Sequence, residues 1–239
     1  MKKVFKRFVI LAFVIGVFAG CVPSAFNVVK GNGNLLTSEK SVSAFEKIHV
    51  SSSANVRFHS SSEYRVVVTT DKNLDEYVEV VTKDNVLNIG TKSGSYSFSK
   101  FLVEIYCPTL TGISISGSGS FESVDKITSS IFDTSISGSG RIEGNIECKT
   151  FYARISGSGR IIITGSSKDA DVNISGSGKF NGSDFIVNNT TIHINGSGSA
   201  DVHVIDNLNA NVSGSGNINY HGDPKTNTNV NGSGRVRKT

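Results

Sequence analysis

The sequence has no tryptophan, three prolines, one methionine and three cysteines in 239 residues. Without Trp, the aromatic platforms usual in sugar binding reduce to six tyrosines, of which Tyr152 is the best exposed candidate. No acidic residue precedes Cys21, although Lys2, Lys3, Lys6 and Arg7 lie there. These four account for the formal charge of +4, because removing them leaves 20 basic against 20 acidic residues. A neutral remainder excludes a polyanion-binding surface spread over the whole protein, so no nucleic-acid partner is expected. The five histidines lack metal-ligand spacing, so neither a metal nor a cofactor is expected.

The first 20 residues read as a removable leader. A basic stretch precedes an apolar run from Phe8 to Phe18, about half the length that spans a bilayer. Ala19 and Gly20 then precede Cys21, as in a bacterial lipobox, although Phe18 stands where Leu is usual. The reading is a lipoprotein signal peptide over 1–20, with Cys21 lipidated and held in a membrane of the cell envelope. Residues 21–41, with Gly31-Asn32-Gly33-Asn34, read as a flexible tether, and 42–239 as the folded domain.

Glycine is abundant, at 25 residues, and most of it is periodic. Gly-Ser-Gly occurs seven times, framed by Gly117 and Gly119, Gly138 and Gly140, Gly157 and Gly159, Gly176 and Gly178, Gly196 and Gly198, Gly214 and Gly216, and Gly232 and Gly234. The spacing is 18 to 21 residues. Apolar residues alternate with polar ones before each motif, as in Phe151-Tyr152-Ala153-Arg154-Ile155, which is strand periodicity. One polar residue after each motif, an apolar residue returns, as at Phe121, Ile142, Ile161 and Phe180. A unit this small cannot bury its apolar face alone, but stacked copies share a continuous core. The pattern predicts an all-β fold: a right-handed single-stranded parallel β-helix, or β-solenoid, with coils of about 19 residues. A propeller needs longer, four-stranded units. The glycines are then corners, where positive φ or close backbone approach is required. A phosphate-binding role would need a helix after the loop, and each motif is followed by a strand pattern.

The segment from Val42 to Tyr106 lacks the motif but is strand-like over 45–50, 55–59, 64–70, 78–81, 86–89 and 101–106. It is expected to be a less regular part of the same solenoid, capping its end. The Asp84-Asn85 step suits a hairpin-like or a corner turn. The last coil is polar and ends Arg235-Val236-Arg237-Lys238, which discourages edge-to-edge addition of another chain. Cys107 and Cys148 are about two coils apart, beyond disulfide reach, and are expected to be free buried thiols.

Two outward rows carry the candidate chemistry. Asp133, Tyr152, Arg154, Asp171 and His193 precede the corners and form a possible ligand face across four coils. Two carboxylates about 9–10 Å apart suit inverting glycoside hydrolysis, which makes a polysaccharide lyase or hydrolase the alternative function. No insertion builds a cleft around them, so a solvated strand face is the simpler reading and no catalytic residue is assigned. After the corners, Arg141, Arg160 and Lys179 form a possible strip for acidic glycans or lipid A phosphates, with Glu122 and Glu143 placed to relieve repulsion.

The order of these features resembles the head GIN domain family, labelled auto-transporter adhesins. The likeness rests on Phe45-Glu46-Lys47-Ile48-His49-Val50, Ala54-Asn55-Val56, Asp71-Lys72-Asn73-Leu74, and Phe101–Cys107 with Pro108-Thr109-Leu110 running into Ile113-Ser114-Ile115-Ser116-Gly117. It implies a right-handed parallel β-helix over about 42–236 and no catalytic residues. The function expected is non-catalytic adhesion or scaffolding at the envelope, with a glycan or other envelope polymer as partner. The residues after Cys21 lack the acidic surface-export signal of related lipoproteins, which favours the periplasmic face of the outer membrane over the cell surface.

Overall fold

The computed structural model describes residues 27–239. The leader and Cys21 lie outside the described residues. Before the repeats come β1 (Val28–Lys30), β2 (Leu35–Lys40), β3 (Lys47–Val50), β4 (Asn55–Ser60), β5 (Arg65–Asp71), β6 (Val78–Lys83), β7 (Val86–Thr91), β8 (Ser95–Ser97) and β9 (Phe101–Cys107). The repeats are β10 (Gly112–Gly117), β11 (Ser120–Ser123), β12 (Ile127–Gly138), β13 (Arg141–Gly157), β14 (Arg160–Gly176), β15 (Lys179–Gly196), β16 (Ser199–Gly214), β17 (Asn217–His221), β18 (Lys225–Gly232) and β19 (Arg235–Lys238).

From β10 onward every pairing is parallel, and equivalent residues of successive coils lie side by side. This is the predicted β-solenoid. A full coil such as β14 is one continuous strand of 17 residues, bent at Gly165 and turned sharply at Gly-Ser-Gly. The corner is also laddered: Ser158 N–H donates to Gly138 O at 2.9 Å, and Arg160 N–H to Gly140 O at 3.0 Å. The ladder thus continues from coil to coil through the turn.

Inward residues stack in columns. One runs Ile136, Ile155, Ile174, Ile194, Val212. Another runs Phe132, Phe151, Ala170, Thr190, Leu208, where large and small side chains share the space. Ala170 leaves room above Phe151, and Phe185 fills it edge-on at a centroid distance of 5.0 Å. All these residues are buried.

The N-terminal region caps the solenoid, but out of chain order. β3 and β4 form a coil pressed between β10/β11 on one side and β7/β9 on the other. The chain therefore passes over its own first coil before the repeats begin. Ser51–Ala54 replaces Gly-Ser-Gly at that coil's corner, with Ala54 fully buried. Beyond β7 and β9 the pairing turns antiparallel, through β6, β5 and β2, which covers the open edge. The β6–β7 link is a two-residue hairpin, the first of the two turns expected there, with φ of 51° at Asp84 and 60° at Asn85.

The expected tether needs correction over its second half. β1 pairs with β8, and β2 pairs with β5. Between them the loop 31–34 is clasped by Asp71 and Asn73. Gly33 N–H and Ser99 N–H each donate to the Asp71 carboxylate at 2.8 Å, and the Ser99 hydroxyl donates at 2.6 Å. Asn73 donates to Lys30 O and accepts from Asn32 N–H. Glycine and asparagine read as linker chemistry, whereas here they let the chain close over a buried carboxylate.

The Ser99 hydroxyl is the largest cause holding the Asp71 carboxyl below its ordinary value, against the opposing effect of burial. Because the folded pKa is depressed, the clasp's contribution is complete above the unfolded value of about 4 and is lost as pH falls through the folded one. Protection of the amides of residues 31–34, taken relative to their intrinsic exchange rate at each pH, is expected to fall at acid pH before the repeats lose theirs. Asp71→Asn should show fast exchange there already at neutral pH. Equal protection in the variant would contradict this role.

At the other end β18 is exposed along its whole length, and Lys225, Arg235, Arg237 and Lys238 crowd the final coil. Lys238 is paired with Asp223. Inward positions that are Leu208 and Ala210 one coil earlier become Thr226 and Thr228. The polar last coil fits a terminal position, as expected.

Cys107 and Cys148 are both free thiols. They fall in different columns, since Cys107 pairs with Ser60 and Cys148 with Ser129 and Ser167. Cys107 is fully buried, and burial pushes its thiol up to about 12. Cys148 is only half-buried, beside the Ser167 hydroxyl at 3.5 Å, so the expected burial holds for one cysteine and partly for the other.

Candidate functional site

The outward residues that precede each corner form three parallel columns. The first holds Asp133, Tyr152, Asp171, Thr191 and Asn209. The second holds Ser135, Arg154, Asn173, His193, Asn211 and Asn229. The third, next to the corners, holds Ser137, Ser156, Ser175, Asn195, Ser213 and Asn231. Strand alternation turns all three to the same side. The five residues of the expected ligand face are thus brought together, but divided between two columns.

Between the second and third columns runs a groove of about 630 Å³, extending from Ser135 to Asn231. The main chain of Ile136, Ile155, Ile174, Ile194 and Val212 forms its floor. One wall is tall, with Arg154, Asn173 and His193, and the other is low and mostly serine. Sequence reading named Arg154 and His193 but missed the groove. The signal was present, because a Ser or Asn stands before every Gly-Ser-Gly, where it reads as a small corner flank.

Charge is neutralised at one end. Arg154 Nη1 lies 3.0 Å from Asp133 Oδ1, with the guanidinium 5.5 Å from the Tyr152 ring centroid. Arg154 also borders two further hollows beyond the groove, of about 300 and 440 Å³. Asp171 accepts a hydrogen bond from Asn173. Asp133 and Asp171 are two coils apart in register, about 9–10 Å. Both stand on the open first column, outside the groove, and each carboxylate already has a partner.

On the other side of the corners, Arg141, Arg160 and Lys179 stand in one column on adjacent coils. Arg141 pairs with Glu143, and Glu122 with Arg57 at 3.1 Å. The acidic neighbour ends there, because the position beside Glu143 on the next coil is Ile162. Arg160 and Lys179 form no ion pair among the described residues.

A further cluster, not foreseen from sequence, lies on the N-terminal coils. His59 stacks on Tyr106 at 4.7 Å, Arg65 covers Tyr106 at 4.1 Å, and His59 Nε2 is 3.6 Å from Glu104. These residues meet only because β4, β5 and β9 are neighbours. The Tyr106 ring is flanked by His59 and Arg65, so it is not free to stack on a sugar. Among the described residues no group of three or more His, Cys, Asp or Glu gathers as a metal site.

Comparison with known proteins agrees with this architecture. A crystal structure of a "putative adhesin" from Bacteroides fragilis NCTC 9343 superposes with a TM-score of 0.82 at 23% identity, covering 88% of this chain and all of that one. A "putative adhesin" from Parabacteroides distasonis ATCC 8503 gives 0.75 at 29% identity, over 89% of this chain and all of that one. A "putative lipid binding protein" from the same organism gives 0.75 at 26% identity, over 88% and 99%. No curated protein matches the chain. Residues 44–224 match the family described as "Putative auto-transporter adhesin, head GIN domain". That segment includes the first coil, the cap except β2, and six of the seven corners, so this chain belongs to the head GIN domain family.

Proposed function

We propose that the protein is a non-catalytic adhesion or scaffolding module of the cell envelope that holds a carbohydrate polymer in the groove beside its corners. In this reading Cys21 is lipidated and anchors the domain to the periplasmic face of the outer membrane. The adhesin description of the family supports the coarser part, an adhesion-like role at the envelope or surface.

The observation that carries the glycan reading is the groove's unused hydrogen-bonding capacity. Elsewhere asparagines bond along the coils: Asn189 to Asp169, Asn207 to Asn189, Asn219 to Asp201. In the groove, His193, Asn195, Asn211 and Asn229 make no side-chain hydrogen bond within the described residues. Such groups exchange water for sugar hydroxyls at little cost. Arg160 and Lys179 offer a second contact, for acidic glycans or lipid phosphates.

The test is binding to isolated envelope polysaccharides, with a reducing-end assay on the same polymers. Ser156→Tyr with Ser175→Tyr fills the groove from two exposed positions and should abolish binding without lowering the melting temperature. Turnover would establish the enzymatic alternative, and binding unaffected by the double variant would move the site elsewhere. Release of the protein from membranes by Cys21→Ala, and protection from protease on intact cells, test the anchor and its face.

A further inference from the structure

We infer that the groove's ligand is a neutral, extended β-1,4-linked glycan lying along the solenoid axis, with one sugar per coil. This rests on the glycan reading above and adds the ligand's linkage, charge and direction.

The argument begins with spacing. Equivalent groove residues repeat at the separation of neighbouring strands, about 4.8 Å. An extended β-1,4-linked chain advances by nearly that length per sugar; successive sugars are turned by about half a rotation, so the same hydroxyls face the groove at every second coil. Each coil offers the same pair of positions, one polar residue of the second column and one Ser or Asn of the third, as in Asn173 with Ser175 and Asn211 with Ser213. A polymer in step with the coils therefore meets polar side chains able to hydrogen-bond at every sugar. An α-1,4-linked chain curls and leaves the row after a few units.

The groove's charge selects the chain type. Its one permanently charged wall residue, Arg154, is already paired with Asp133. The unpaired cations Arg160 and Lys179 lie across the corners, outside it. A neutral polymer therefore buries no charge here and regains hydrogen bonds for its hydroxyls, whereas a polyuronate would find no free counter-charge.

The groove crosses six coils, from Ser135 with Ser137 to Asn229 with Asn231. Binding should therefore depend on chain length. Calorimetry with the described domain and defined cello- and chito-oligosaccharides of two to eight sugars is the test, with malto-oligosaccharides as the curled comparison. One net hydrogen bond per sugar predicts a tightening of about fivefold for each added unit. The gain should cease near six sugars in at least one β-linked series and be absent from the malto series. Ser213→Tyr blocks the fifth coil and should move the plateau to about four sugars. Ser175→Tyr divides the groove and should remove most of the advantage of long chains.

Binding of equal strength at all lengths, or an equal gain from the α-linked series, overturns the axial, in-step arrangement while leaving glycan binding intact. Absence of binding to both β-linked series also overturns it. Absence of binding to every envelope polysaccharide would remove the glycan reading as well.

Discussion

Gly157→Ala is expected to lower the stability of the domain by about 3–5 kcal/mol, the sum of backbone strain and overpacking. Gly157 has φ of +118°, where L side chains are rarely found. A Cβ there would sit 2.6 Å from Gly138 O. That carbonyl cannot move aside, because it accepts the Ser158 N–H that continues the ladder round the corner. The second glycine differs. A Cβ on Gly159 would lie 2.5 Å from Ile136 Cγ2, a side-chain atom of the preceding coil, and its backbone is unstrained. Gly159→Ala should therefore cost less, and less again with Ile136→Ala, a coupling that a double-mutant cycle would expose. Ser158→Ala, between them and exposed, should stay within about 0.5 kcal/mol. Denaturant midpoints for the three corner variants, Ile136→Ala and the Gly159→Ala/Ile136→Ala double decide the matter. Equal effects at 157 and 158 would refute the assignment of Gly157 as a backbone-limited corner.

Phe151→Ala should be comparably damaging, at about 3–5 kcal/mol. Phe151 is fully buried, with Phe185 at 5.0 Å and Phe180 at 6.1 Å. Its column neighbours are Phe132 and Ala170. Ala170 is too small to fill the vacated space, and Phe132 is held by its own strand, so a cavity remains. In a stacked architecture the damage passes first to adjacent coils. Hydrogen exchange should show protection lost across β12–β15 while β5, β7 and β9 stay protected. A loss under about 1 kcal/mol would mean that the neighbouring rings collapse into the gap.

Both predictions concern features that the sequence declares. The regular spacing of Gly-Ser-Gly and the alternation around it leave one economical solution, because period-two strands that share a corner every 19 residues bury their apolar side only by stacking. Register followed as well. Arg141, Arg160 and Lys179 were expected in one row and lie in one row, since each is counted from a corner. The charge balance was legible for the same reason: the excess of four belongs to the first 20 residues.

The tertiary structure decided what corner counting cannot reach. Val28–Lys40 reads as linker, and becomes two strands and a clasp only because Asp71 and Ser99 arrive from distant strands. His59, Glu104, Tyr106 and Arg65 meet because β9 is laid against β4 and β5, a pairing across chain order that no local pattern encodes. The expected ligand face, five polar residues along the chain, is divided by the fold between an open outer column and the wall of a groove, with the Asp133–Arg154 ion pair joining the two. Sequence alone determined the coil, its corners and the neutral charge balance beyond residue 20, because these are read directly from residue order. The cap, the clasp and the groove needed the structure, because each is made by residues that are distant along the chain and adjacent only after stacking.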